Sequence, residues 1–146
     1  MTIEQLSVFL ENKQGRLVEV LEALAVAGVD LRALSLADTE NFGILRLIVD
    51  KPARAYEVLR GEGYGVELTD VIPVSVDDEP GEFASALRVL ADAGIGVEYT
   101  YVFVAPKSGS IGKAYAVICV DDNAAAARVL EQGGIAQLTA EEMYGL

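Results

Sequence analysis

Histidine is absent from this chain of 146 residues, and cysteine occurs once. The first absence removes the commonest general base and the commonest transition-metal ligand. A lone cysteine closes no internal disulfide. Cys119 lies in the apolar run 116–120, which marks it as a buried core thiol. Cations are also scarce: 11 Lys and Arg stand against 23 Asp and Glu, a formal charge of −12. Nucleic acids and anionic membranes are held by cations that neutralise phosphates, so neither is an expected partner. No apolar run reaches the roughly 18 residues of a membrane span. The first ten residues alternate polar and apolar around Glu4, unlike a signal peptide, so a cytoplasmic location is expected. HExxH, GxSxG and CxxC patterns are missing. The stretch 109–113 is too short for a phosphate loop, has Ala114 where a hydroxyl is required, and leads into a strand. No catalysis, metal site or cofactor is expected.

What is present is a hydrophobic fraction of 52%, enough for a packed core, arranged as an internal repeat. Gly15 maps to Gly81, an offset of 66 that also carries Leu17 to Phe83, Leu21 to Leu87, Leu24 to Leu90 and Gly28 to Gly94. Farther on the offset is 71: Val49 maps to Val120, Ala55 to Ala126, Leu59 to Leu130 and Gly63 to Gly134. The second copy therefore holds five more residues, placed in the Gly/Ser-rich stretch 105–112, which reads as a longer hairpin loop.

Each copy has one order of elements. Residues 3–10 alternate as a strand. Leu17, Val20, Leu21, Leu24 and Ala27 share a helical face that Gly28 ends. Residues 31–38 and 43–50 read as strands joined by the turn 39–42. A second helix opens near Pro52 and buries Ala55, Tyr56 and Leu59, and residues 66–69 form the last strand. The second copy repeats this with strands at 71–76, 97–104, 113–120 and 135–139, helices at 83–93 and 124–131, and a tail from 141. Its first helix is expected to bury Phe83, Leu87, Leu90 and Ala91. The fold class is α+β: two tandem ferredoxin-like βαββαβ domains, 1–69 and 70–146, each an antiparallel four-stranded sheet with helices on one face. Residues 66–76 contain no Gly or Ser hinge, so a long strand path and rigidly coupled domains are expected. Pro73 then requires an edge position or a bulge, having no N–H to donate. Tyr99, Tyr101 and Phe103 share a strand face; they either line a pocket or pack under the helices, and core packing is the expectation.

The candidate site is the loop before the first helix of each copy. A helix start offers unpaired amides and partial positive charge to a carboxylate. Gly15 and Gly81 leave room for close approach to the backbone. Asn12 and Asp78 are placed either to accept from an ammonium group or to cap their helices. Arg16 is a carboxylate clamp or a solvated side chain.

The run Asp78-Glu-Pro-Gly-Glu-Phe83 followed by Ala93-Gly-Ile-Gly-Val97 resembles the signature of ACT domains, small regulatory βαββαβ modules that commonly bind amino acids. Asn12, Gly15, Leu17 and Ala27-Gly-Val-Asp-Leu31 fit the first copy, with Gln14 in place of the proline. The second copy has Pro80 but carries Gly96 where a polar residue is usual. The resemblance implies a free amino acid as ligand, held at a domain interface by Asn12, Gln14, Gly15, Arg16 and Leu17, and by Asp78, Pro80, Gly81, Glu82 and Phe83. It also implies Asp30 as an ammonium partner; otherwise Asp30 is a turn residue. Because Gly96 cannot supply that contact, the two potential sites are not equivalent. A non-catalytic amino-acid sensor follows, expected as a homodimer with an enzyme or regulator as partner. The alternative is a structural or interaction module with degenerate pockets, favoured by Gln14 and Gly96.

Overall fold

The computed structural model describes residues 2–11, 13–38, 41–105 and 112–146. Asn12, part of the first hairpin turn and most of the Gly/Ser-rich loop lie outside them. The chain divides into two compact units, Glu4–Thr69 and Asp70–Leu146, the latter grouped with Met1–Ile3.

In the first unit the elements are β1 (Ile3–Glu11), α1 (Arg16–Val26), β2 (Leu31–Asp38), β3 (Phe42–Val49), α2 (Pro52–Gly61) and the start of β4 (Gly65–Asp77). The strand order is β4-β1-β3-β2, with β3 antiparallel to both β1 and β2. Period-2 alternation sends Leu6, Val8, Leu10, Leu45, Leu47 and Val49 to one face. Val20 and Leu24 of α1 and Ala55 and Leu59 of α2 bury against them, so both helices cover that face. Pro52 opens α2, where its missing N–H costs no helical bond. α1 ends in a Schellman motif: Val29 N–H donates to Leu24 O and Gly28 N–H to Ala25 O, both at 3.0 Å.

The second unit contains the rest of β4, then α3 (Glu82–Asp92), β5 (Val97–Ala105), β6 (Lys113–Val120), α4 (Asn123–Gln132), β7 (Ala136–Gln137) and α5 (Ala140–Tyr144). Its order is β7-β4-β6-β5, the equivalent of the first unit's. Ile72, Val74, Ala116, Ile118 and Val120 pack with Leu90 of α3 and with Ala126 and Leu130 of α4. Asp122 caps α4, its side chain accepting from Ala125 N–H at 3.0 Å.

The long strand path expected through 66–76 is present as one strand, β4. Other expectations are corrected. Pro73 is in neither an edge nor a bulge: it pairs in register with Val117, and its carbonyl accepts from Leu138 N–H at 3.0 Å. Its nitrogen therefore faces β7, and the lost donor falls where β7 ends, so the strand expected at 135–139 is only two residues long. The tail instead forms α5, held by a capping box between Thr139 and Glu142 and anchored by the buried Met143. On α3, Ala91 is exposed and Ala86 buried.

A register shift lies between Leu31 and Ala33 in β2 and again between Val97 and Tyr99 in β5, equivalent places in the two copies. A bulge moves all later side chains to the other face. Tyr99, Tyr101 and Phe103 thus align with Cys119, Val117 and Tyr115, on the face of the sheet opposite α3 and α4 rather than beneath them. Phe103 stacks on Tyr115 at 5.6 Å between ring centroids. Cys119 is buried as expected but on the face opposite α3 and α4, its thiol 3.5 Å from Glu98.

Candidate functional site

Register assembles one end of the first unit's sheet. Glu11 pairs with Phe42, Leu10 with Gly43, and Asp38 of β2 with that same Gly43. The β1–α1 loop leaves from this end. α1 starts from Gly15 at φ 88°, ψ −7°, a left-handed conformation that L side chains rarely adopt. An added Cβ there would meet no atom within 4 Å, so the backbone is open to approach. Arg16 N–H donates to Lys13 O at 3.3 Å and Glu19 N–H to Gly15 O at 3.1 Å. Between them the Leu17 and Val18 amides have no acceptor among the described residues.

A pocket of about 560 Å³ opens beside this helix start. Leu10, Leu17 and Leu36 give it an apolar side, while Lys13, Arg16, Glu11 and Asp38 bring charges of both signs. Gln14 also lines it. Lys13 lies 3.0 Å from Glu11. Its hydrogen bond and charge, with help from Arg16, hold the Glu11 carboxyl below its ordinary range. Arg16 is partly exposed and ion-paired. Its guanidinium lies 3.1 Å from Glu19 and 3.7 Å from Glu11, and the hydrogen bond to Glu19 raises its pKa further. The Tyr64 hydroxyl donates to the same Glu19 oxygen at 3.3 Å. Burial, then the Glu19 charge, pushes the Tyr64 pKa up.

The second copy reproduces the backbone device but not the side chains. α3 starts from Gly81 at φ 85°, again with nothing within 4 Å of an added Cβ. Glu82 N–H donates to Glu79 O at 3.2 Å and Ser85 N–H to Gly81 O at 2.9 Å. The Phe83 and Ala84 amides have no acceptor among the described residues. Asp78 does not cap α3: the cap position is Gly81, and Asp78 is exposed three residues earlier, its own amide bonded to Gly112 O at 2.9 Å. Pro80 and Glu82 are exposed, whereas Phe83 turns into the core. Lys113 hydrogen-bonds Asp77, which raises the Lys113 pKa.

Asp30 is not brought to the loop of its own unit. It precedes Leu31, which pairs with Val49 at the far end of the sheet from Gly43. There Asp30 is ion-paired with Arg32, and its amide donates to Asp50 at 2.9 Å. Sequence reasoning missed Leu10, Glu11, Lys13, Leu36, Asp38 and Gly43. The signal available was register: a β2–β3 hairpin laid beside β1 puts its turn at the end from which the β1–α1 loop departs.

The family described as an ACT domain pair matches residues 1–130. Protein BT0572 from Bacteroides thetaiotaomicron is 39% identical, with a TM-score of 0.92 over 100% of this chain and 98% of that one. The ligand-free regulatory subunit of aspartate kinase from Thermus thermophilus is 21% identical, with a TM-score of 0.64 over 89% and 91%. The corresponding subunit from Thermus flavus is 19% identical, with a TM-score of 0.60 over 90% and 92%. No curated protein matches the chain. Among the described residues no helix is long and apolar enough to cross a membrane.

Proposed function

The chain belongs to the ACT domain pair family, and from that premise we propose that it is a non-catalytic sensor of a free amino acid. One observation carries this reading: at the start of α1 an open, left-handed Gly15 and two unbonded amides adjoin a pocket with an apolar side and charges of both signs. The ligand's carboxylate meets the Leu17 and Val18 amides, where the helix dipole favours negative charge. Asn12 or a pocket carboxylate accepts from its ammonium group, and its side chain contacts the leucines. Asp30, remote from its own loop, serves a loop other than its own. The Gly81 loop, with Asp78, Pro80, Glu82 and Phe83, is the second potential site.

Regulation requires that the ligand favour one of two states. A separate enzyme or regulator reads the state, a role supported by the shared fold with the aspartate kinase regulatory subunits. Exposed strand edges pair two copies into a homodimer; a monomer by light scattering at micromolar concentration removes this element.

The test is a thermal-shift panel of the twenty amino acids. A ligand at a hundred times its dissociation constant adds about 2.7 kcal/mol, or several degrees in Tm for a chain of this size. A second reading, an interaction module with degenerate pockets, is favoured by the occupation of Arg16 by Glu11 and Glu19. It predicts no shift with any amino acid.

A further inference from the structure

The two loops share a backbone and differ in charge. The offset of 66 maps Glu11 to Asp77, Lys13 to Glu79 and Arg16 to Glu82. In the first loop, Glu11 and Glu19 are balanced by Lys13 and Arg16, each within 3.1 Å of a carboxylate. In the second, Asp77, Asp78, Glu79 and Glu82 face one described cation, Lys113, which Asp77 engages. Glu79 and Glu82 are exposed. With Asp38, which also lines the pocket, the first loop carries about one net negative charge, whereas among the described residues the second carries about three. The pocket beside Gly15 is lined by both of the first loop's cations.

We infer that the loops are selected by charge: the Gly15 pocket alone accepts the carboxylate of an amino acid, and the Gly81 loop repels it, so each chain takes one ligand. This rests on the amino-acid reading above and specifies which of its two sites works. Lys13 and Arg16 act as the discriminating residues. They offset two of the three carboxylates Glu11, Glu19 and Asp38, so that an incoming anion meets far weaker repulsion than at the second loop. Glu79 and Glu82 place like charge at the same positions, and like charges a few ångströms apart weaken anion binding by about tenfold or more. The pocket's leucines extend the inference to ligand class. Leu10, Leu17 and Leu36 suit an aliphatic amino acid and leave a second charged group without a partner on that side.

The experiment is calorimetric titration of the full chain with each amino acid that responds in the panel, at low and moderate salt. The expected result is one equivalent per chain and an aliphatic ligand. Lys13→Glu with Arg16→Glu, the charges of the second loop, should weaken binding by about a hundredfold at unchanged circular dichroism. The reciprocal Glu79→Lys with Glu82→Arg should leave the first site intact and raise the stoichiometry towards two. Since all four side chains lie near the surface, unaltered melting of the reciprocal variant guards against misfolding as the cause. Two equivalents in the unmodified chain, or full affinity in the Lys13/Arg16 variant, overturns this inference while the amino-acid reading stands. No binding of any amino acid by the unmodified chain overturns both.

Discussion

Replacing Gly15 by alanine separates backbone strain from packing. At φ 88° an alanine is held in the left-handed region, which costs about 1–2 kcal/mol. The new methyl meets nothing within 4 Å, so no clash adds to this. Alanine also stiffens the unfolded chain, which favours folding by up to about 1 kcal/mol and offsets part of the strain. The net loss should be about 0.5–1.5 kcal/mol, or some 1–5 °C in Tm. Gly81→Ala, at φ 85° with equally open surroundings, should cost the same. Gly96→Ala is the control: its φ is not in the left-handed range and its surroundings are also open. It should be neutral or stabilising by up to about 1 kcal/mol. Urea unfolding monitored by circular dichroism measures all three. Equal effects of the three substitutions, or a loss above about 4 kcal/mol at Gly15, would refute the geometry described for the helix starts.

Other perturbations have equally definite outcomes. Leu24→Ala and Leu90→Ala, at equivalent buried positions in the two units, should each cost about 2–5 kcal/mol in urea unfolding. Gly133→Ala is unstrained at φ −81° but puts a methyl 2.9 Å from both Val89 methyl carbons. It should cost about 1–3 kcal/mol by overpacking, largely relieved by Val89→Ala in the same chain. The Glu11 carboxyl is held below its ordinary range in the folded chain, chiefly by Lys13. Its contribution is therefore present above the usual carboxylate pKa and is lost as pH falls through the lowered folded value. Glu11→Gln should flatten the acid limb of stability against pH in that window, and an unchanged limb contradicts the assignment.

Much of the fold was legible because the repeat and the hydrophobic periods agree: Gly28 and Gly94 end helices where expected, and Leu24 and Leu90 are buried. The deviations trace to features that periodicity does not carry. One bulge, repeated before Ala33 and Tyr99, reverses the facing of the aromatic row. Pro73 acts on a neighbouring strand rather than its own, shortening β7. α5 was readable from Thr139 and Glu142, spaced as a capping box, but its brevity hides any period. At the candidate site, Gly15 and Arg16 were visible as sequence. Leu36, Asp38 and Gly43 join them only through the antiparallel register of β3, which no local pattern encodes.

The central claim is that the first turn of α1 receives the carboxylate. Nitrogen–proton NMR of the labelled full chain, titrated with a responding amino acid, tests it most directly. The account predicts that the amide signals of Leu17 and Val18 move most, and saturate together with the thermal shift. Stationary signals at both positions, with ligand-dependent shifts elsewhere, would contradict it.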